Sequence, residues 1–521
     1  MTLRLRDTLT RRIRPVEPIE PGLVRMYSCG PTVYRYAHIG NLRTFLLADL
    51  IRRACLWHGL RVTHVQNITD VGHLRDERFD RGEDPMLMAA GLEDKTPGEI
   101  ADAYEAAFHA DKARLNILPA HAYPRATEHI PEMIALAERL EDGGHAYRGT
   151  SGTLYYDVSS FAGYGRLSGN SLDALRAGHR GEIEPDKRDP ADFALWKPAG
   201  EGRILSWPTT RWGNGFPGWH LECSAMAMRC LGPEFDIHTG GVDNIFPHHE
   251  DEIAQTAALT GRVPARAWVH GAFLTSSGRK MAKSAGNFVR ITELAGGSID
   301  PLAFRYLALS SRYAHKLDLT DESLAAAARG LSSLRGALVA LGRPPLEGPW
   351  DSPQALEAGS APDRPRGRAT APNGHGIPPA DPLPRVDRAH EPPAPLSAAG
   401  RALHDQLAEA IDNDLDTPTA LATVRRILTD PELVDHERRW LVLDVDFVLG
   451  LGLHQAWDLV VGTEDREVPP EVWRMALERT AARQARDFTA ADGLRDRILA
   501  LGWDLVDRQD GSSDVHRRTD F

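Results

Sequence analysis

Four cysteines in 521 residues, Cys29, Cys55, Cys223 and Cys230, are too few to frame a disulfide-stapled fold, which leaves thiol packing or metal binding as the question they raise. Long hydrophobic runs are missing too. No stretch approaches the roughly 18–20 apolar residues of a membrane span, and the start, MTLRLRDTLTRRIRP, has neither a sustained apolar core nor a small-residue cleavage site. A soluble, cytoplasmic chain with no membrane partner is therefore expected. Positive charge is also short: a formal net charge of -12 excludes wholesale wrapping around a polyanion, so any such ligand must meet a local basic surface. No internal repeat is evident.

What is present suits a large globular protein. With 42% hydrophobic and 26% charged residues, the chain can bury sizeable cores, and its length predicts three or four domains. RMYSCGPTVY reads as a strand running into a Gly-Pro break, LRTFLLADLIRRACLWHG has apolar residues at helical spacing, and RVTHVQNITDV is a second β-branched run. That order predicts a βαβ unit in a parallel, doubly wound α/β sheet, whose ligands sit at the carboxyl ends of the strands.

Residues 96–141 read as helical, and 148–205 as polar, Gly-rich and irregular, with a hairpin at YRGTSGTLYYDV. We read 1–119 and 206–299 as the two halves of the nucleotide-type fold and 120–205 as an insertion between them. A helix at about 248–259 lies between FDIHTGGVDNIF and AWVHGAFLTSSG in the second half. Residues 300–345 read as wholly helical over 301–341, 346–398 as a Pro-rich flexible linker, 399–465 as a helical bundle, and 466–521 as a terminal module of one helix and short strands.

Two short motifs carry chemistry. HIGN at 38–41 stands after a strand and at the mouth of a helix, where unpaired backbone N–H groups favour anionic phosphate. Downstream, GRKMAKSAGN puts Lys280 and Lys283 in a Gly- and Ser-flanked loop. Each alone is weak, since a capped helix start and a pair of solvated lysines are commonplace. Together, in this order, they resemble the HIGH and KMSKS signatures of the class I aminoacyl-tRNA synthetases. CGPTVY, NITDV, GWHLECSAM and FPHHEDEIAQ narrow the resemblance to the cysteine-specific family, the cysteine–tRNA ligases, from about residue 8 to 313 and again near the end. Two positions depart from the general signatures: Asn41 replaces a histidine, as is normal in the cysteine branch, and Ala282 replaces a serine.

The resemblance implies ATP-dependent activation of L-cysteine to cysteinyl-adenylate and its transfer to tRNA(Cys), on a class I Rossmann-like fold with a connective insertion, a helical stem-contact region and an anticodon-binding module. Mg-ATP is then a substrate. His38, Lys280 and Lys283 would be catalytic, stabilising charge on the phosphates as the amino-acid carboxylate attacks the α-phosphorus. His38, Gly40, Asn41, Asp243 and Lys283 would bind ATP, and Gly30, Thr32, Thr69 and Trp219 the amino acid. A monomer is expected.

Thiolate, imidazole and carboxylate are all zinc ligands, and a helix beginning after Pro247 would set His248 and Glu252 one turn apart on one face. His249 with Glu252 is the less favoured pairing. By the resemblance, Cys29, Cys223, His248 and Glu252 would hold one zinc ion per chain. Zinc would accept a substrate thiolate far more readily than a serine hydroxyl, removing the need for an editing domain.

The acceptor rests on the distal chain, because smaller relatives that join cysteine to an aminosugar share only the catalytic half. Here ALERTAARQARDFTAADGLRDRILALGWDLVDRQDG resembles the anticodon-reading module, and Arg479, Arg483, Arg486, Arg495 and Arg497 are expected to form a local basic face. A non-catalytic zinc protein that binds nucleic acid is the reading from a different class, disfavoured by the joint presence of His38, both lysines and the four metal-type residues.

Overall fold

The computed structural model describes residues 2–72, 85–171, 186–200, 203–276, 278–280, 289–343, 395–458, 472, 475–476, 478–479, 482–483, 487–507 and 513–517. The chain divides into two compact units, 1–453 and 454–521. No helix among the described residues is long and apolar enough to cross a membrane.

An antiparallel hairpin, β1 (Arg4–Asp7) and β2 (Arg12–Pro15), opens the first unit. The expected βαβ unit follows as β3 (Leu23–Ser28), α1 (Ile39–Trp57) and β4 (Arg61–Gln66). Both strands are almost wholly buried, as strands covered on two faces must be. Next come α2 (Pro85–Glu93) and α3 (Pro97–Arg114), the latter opened by a Thr96–Glu99 capping box.

The continuous helix read over 96–141 does not form. Pro119 and Pro124 each lack the N–H a helix needs. The intervening stretch instead lies along β4: Gln66 N–H donates to the Ala122 carbonyl at 3.1 Å and Ile68 N–H to that of Pro124 at 2.8 Å. Helix resumes as α4 (Ile130–Asp142).

The hairpin read near 147–158 is present as β5 (Ala146–Arg148) and β6 (Leu154–Tyr156). What read as irregular beyond it contributes β7 (Phe193–Pro198), followed by β8 (Trp207–Thr209) and β9 (Gly213–Pro217), in a five-stranded antiparallel sheet ordered β5-β6-β7-β9-β8. Strands this short leave little alternation to read. Their stability comes from a shared core in which Tyr156, Leu195 and Trp196 meet Met133 and Leu136 of α4 and Leu221 of the helix that follows.

That helix is α5 (Trp219–Leu231), and β10 (Phe235–Gly241), α6 (Glu250–Thr260) and β11 (Ala265–Gly271) complete the second half. The central sheet is ordered β11-β10-β3-β4 and every pairing is parallel. The strand order therefore reverses between β3 and β10. At such a switch point the loops diverge from the carboxyl ends and leave a crevice for a ligand.

Beyond the sheet lie β12 (Leu274–Ser276), β13 (Arg279–Lys280), α7 (Pro301–Leu309), β14 (Leu317–Leu319) and α8 (Asp321–Ala340). The wholly helical reading of 301–341 is corrected here: β14 interrupts it to pair in parallel with β12. SSRYAHK, between α7 and β14, has no apolar stripe to bury, and the His315 carbonyl is taken by the Arg43 guanidinium at 2.7 Å. The Pro-rich stretch lies outside the described residues up to 394. After it, α9 (Ala398–Asp412), α10 (Thr417–Thr429) and α11 (Asp435–Leu449) form the helical cluster.

One buried ionic cluster joins these layers. Asp49 of α1 accepts from Arg53 Nε at 2.8 Å and from Arg305 Nη2 of α7 at 2.6 Å, and Arg305 also donates to the carbonyls of Leu115, Asn116 and Leu449. The Asp49 and Arg305 side chains are fully buried. Burial opposes ionisation of Asp49, but the two guanidinium groups and the Leu118 N–H outweigh it and hold its pKa below the ordinary value.

The second unit contains α12 (Phe488–Ala500) and the antiparallel pair β15 (Trp503–Asp507) and β16 (Ser513–Arg517) around a small core of Val472, Met475, Ala476, Ile498 and Leu505. Its expected basic face is only partly present. Arg495 and Arg497 are exposed, but Arg479 is buried, because it follows Met475 and Ala476 at helical spacing on the inward face. Arg483 is half-buried, and Arg486 lies outside the described residues.

Candidate active site

The residues named from sequence converge on the carboxyl ends of the parallel strands. β3 ends at Ser28 and delivers Cys29, β4 delivers Asn67 and Thr69, and β10 delivers Asp243 two residues beyond its end. Cys29 N–H donates to the Thr239 carbonyl of β10 at 3.2 Å, which fixes the cysteine at the mouth of the switch point.

His38 caps α1. Its backbone is extended (φ -95°, ψ 164°), its Nδ1 accepts the Asn41 N–H at 3.2 Å, and Asn41 Oδ1 accepts the His38 N–H at 3.2 Å. An Nδ1 that accepts an amide proton keeps the ring proton of a neutral imidazole on Nε2, so His38 presents a donor at that nitrogen. Gly40 makes room for the ring, since a Cβ there would fall 2.9 Å from two of its atoms. The HIGN motif is thus a self-supporting cap in which each polar member has a mechanical reason. Ile39 N–H donates to the Val289 carbonyl at 3.1 Å, bringing this cap beside the chain that leaves the lysine loop.

Lys280 ends β13, whose partner β12 is pinned by Asp318: its Oδ1 accepts from Thr275 Oγ1 at 2.7 Å and from the Gly278 N–H at 2.9 Å. Lys283 lies outside the described residues. Asp243 is exposed on a short turn of 3-10 helix after β10.

The metal-type residues do meet. Ligand atoms of Cys29, Cys223, His248 and Glu252 lie within 4.8 Å of one another, and so do those of Cys29, His238, His249 and Glu252. A kinked turn, Ile245–His249, with Phe246 extended (φ -142°, ψ 131°), runs into α6 and sets His248 Nε2 3.1 Å from Glu252 Oε1. The helix itself starts at Glu250, slightly later than read, but the expected i to i+4 relation holds. His249 instead approaches Cys29 Sγ with Nε2 at 3.1 Å.

Sequence reading missed His220, His238 and His270 around this set. His220 Nδ1 lies 2.9 Å from His248 Nδ1 and its Nε2 3.3 Å from Asp251, which accepts from the Tyr164 hydroxyl at 2.5 Å. His238 Nε2 lies 2.9 Å from Glu252 Oε2, and His249 Nδ1 2.8 Å from His270 Nε2. These groups come from separate strands and helices, so no spacing announces them; the only signal was an unusual density of histidine over 220–270. Such outer partners orient metal-ligating rings and carboxylates.

Electrostatics single out the same cluster. Burial alone would raise Glu252, yet His238 and His248 hold it down to about 2. Burial disfavours charge on His248, and Cys223 and Glu252 overcome this and raise its pKa well above the ordinary value. The hydrogen bond that Cys223 donates to Cys29 raises Cys223 well above a free thiol, with burial adding to it. At Cys29 the Cys223 hydrogen bond lowers the pKa, but burial and Glu252 prevail and raise it. Two buried thiols held together beside a buried carboxylate and imidazole form a donor set for a borderline-soft cation. The set fits zinc.

Trp219 opens α5 one turn before Cys223 and lays its ring 4.4 Å from the His248 ring, half-buried. Thr32 and Thr69 face each other in an isolated parallel bridge: Val33 N–H donates to the Thr69 carbonyl and Thr69 N–H to that of Pro31, both at 3.0 Å. Gly30 sits against Asn67. The structure therefore brings together Cys29, Gly30, Thr32, Thr69, Trp219, Cys223, His248 and Glu252, with His38 at the neighbouring helix start.

Comparison with known proteins agrees. Residues 15–329 match the family described as the class I (C) tRNA synthetase catalytic domain. Over 98% of both chains the sequence is 40% identical to a cysteine–tRNA ligase of Thermus thermophilus and 38% identical to one of Thermosynechococcus vestitus. The chain belongs to the cysteine–tRNA ligase family. Likeness at this level over nearly the whole length includes the distal unit, which relatives sharing only the catalytic half would not match. The fold is accordingly that of the class I synthetases, a parallel nucleotide-binding sheet with helical additions.

Proposed function

We propose that this protein activates L-cysteine with ATP, forming cysteinyl-adenylate and pyrophosphate, and then transfers the cysteinyl group to the 3′ end of tRNA(Cys), releasing AMP. The single observation that carries the reading is the convergence of a Cys-Cys-His-Glu donor set and a histidine-capped helix start on one switch-point crevice. Cysteine and the ATP phosphates can then be held side by side.

Cys29, Cys223, His248 and Glu252 would hold zinc. His248 is the better histidine because its quartet includes both thiols and its outer nitrogen is backed by His220 and Asp251. When bound, zinc would supply a borderline-soft Lewis-acid site that takes a thiolate far more readily than a serine hydroxyl. Trp219 walls the thiol end, and Gly30, Thr32 and Thr69 line the amino-acid end. His38 Nε2–H and the α1 N-terminus face the phosphates of Mg-ATP with Gly40 and Asn41. As the cysteine carboxylate attacks the α-phosphorus, charge grows on the phosphate oxygens, and His38, Lys280 and Lys283 stabilise it. Asp243 would contact the nucleotide. We assign anticodon recognition to the second unit, with Arg495 and Arg497 as its exposed cations.

Four unpaired cysteines suit a reducing cytoplasm, and we expect a monomer. The test is cysteine-dependent ATP–pyrophosphate exchange by purified protein, with serine as control. Cysteine-specific exchange supports the reading; equal exchange with serine, or none in metal-replete protein, overturns it.

A further inference from the structure

Asn67 ties the crevice together. It is 1% exposed, directly after β4, and both ends of its amide are used across chain segments. Oδ1 accepts the Gly30 N–H at 2.8 Å, and Nδ2 donates to Thr69 Oγ1 at 3.2 Å. Gly30 is pressed onto the Asn67 backbone so closely that a Cβ at position 30 would fall 1.6 Å from the Asn67 carbonyl oxygen. Thr69 is itself buried, at 2% exposure.

An amide nitrogen only donates, so the Thr69 hydroxyl oxygen accepts from Asn67. At the other end, Cys29 is held on one side by its own N–H on Thr239 and on the other through Gly30 on Asn67. One side chain thus fixes both the strand end that carries a thiol of the donor set and the place of a hydroxyl beside it.

We infer that Asn67 is a positioning residue for the amino acid: it holds Gly30, and through it Cys29, in register with the Thr69 hydroxyl. This rests on the cysteine-activating reading above.

Two variants separate its two contacts. Asn67→Asp keeps an acceptor for Gly30 N–H and loses the donor to Thr69; Asn67→Ala loses both. In exchange assays Asn67→Asp should raise KM for cysteine by about tenfold, the scale of one lost hydrogen bond, with KM for ATP unchanged and metal content kept. Asn67→Ala should raise it further and lower the metal retained after dialysis, measured by elemental analysis. Should Asn67→Ala fail to fold, Asn67→Asp alone decides. Equal changes in both KM values, or unchanged kinetics in the folded Asn67→Asp protein, overturn the inference. Absence of cysteine-dependent exchange in the parent protein would instead mark failure of the activity reading, and metal loss in Asn67→Ala then still reports on the tether.

Discussion

Replacing Asp49 by alanine should destabilise the first unit as much as a large core truncation does. The carboxylate accepts from Arg53 and Arg305 at 2.8 and 2.6 Å and from the Leu118 N–H at 2.9 Å. Hydrogen bonds to charged groups contribute about 1.5–3 kcal/mol each, and two guanidinium groups would stay buried without their counter-ion. Breaking a buried pair from one side costs about 3–5 kcal/mol, and the two figures agree. With a slope near 3 kcal/mol/M, the urea midpoint should fall by about 1 M or more. Asp49→Asn, which keeps the shape and one acceptor, should fall between. The pH dependence follows from the direction of the shift. Because the folded pKa of Asp49 is depressed, its contribution is complete above the unfolded value of about 3.9 and is lost as pH falls through the folded value. The gap between parent and Asp49→Ala should therefore be flat from neutral pH down to about 5 and close only in stronger acid. A midpoint change well under 0.3 M, about 1 kcal/mol, would refute the claim that this cluster clamps α1 to α7 and the helical cluster.

Other outcomes follow from the site. Cys223→Ala should lose bound metal and cysteine-dependent exchange together, as read by elemental analysis alongside the assay; full activity in metal-free protein would contradict the donor set. His38→Ala should cost about 2.7–4 kcal/mol of transition-state stabilisation, a hundredfold or more in exchange rate, with little change in KM for cysteine. Gly30→Ala should lower the melting temperature and abolish cysteine binding, because the added Cβ meets the Asn67 backbone carbonyl at 1.6 Å, where no side chain can yield.

Much of the catalytic half was legible because its information is local. HIGN, a strand ending in Cys-Gly and His248 with Glu252 at one helical turn are short-range patterns whose physics survives any tertiary context. The parallel sheet was implied by strand and helix alternation, while its order β11-β10-β3-β4 was not. What escaped was decided at a distance. Pro119 and Pro124 divert a helical stretch onto β4, and β14 exists because β12 offers it an edge. The histidines at 220, 238 and 270 come from three different elements, and Arg479 turns inward because its helix has a core-facing stripe. The choice between His248 and His249 was left open because the two are adjacent at the entry to α6, and what each ring meets is decided by other elements.

The most direct test of the central claim is charging of purified tRNA with labelled cysteine and ATP, with serine and a tRNA of another identity as controls. The account predicts cysteinyl-tRNA on tRNA(Cys) alone. Cysteine-dependent pyrophosphate exchange without any transfer to tRNA(Cys) would contradict it, placing the activated cysteine on a different acceptor.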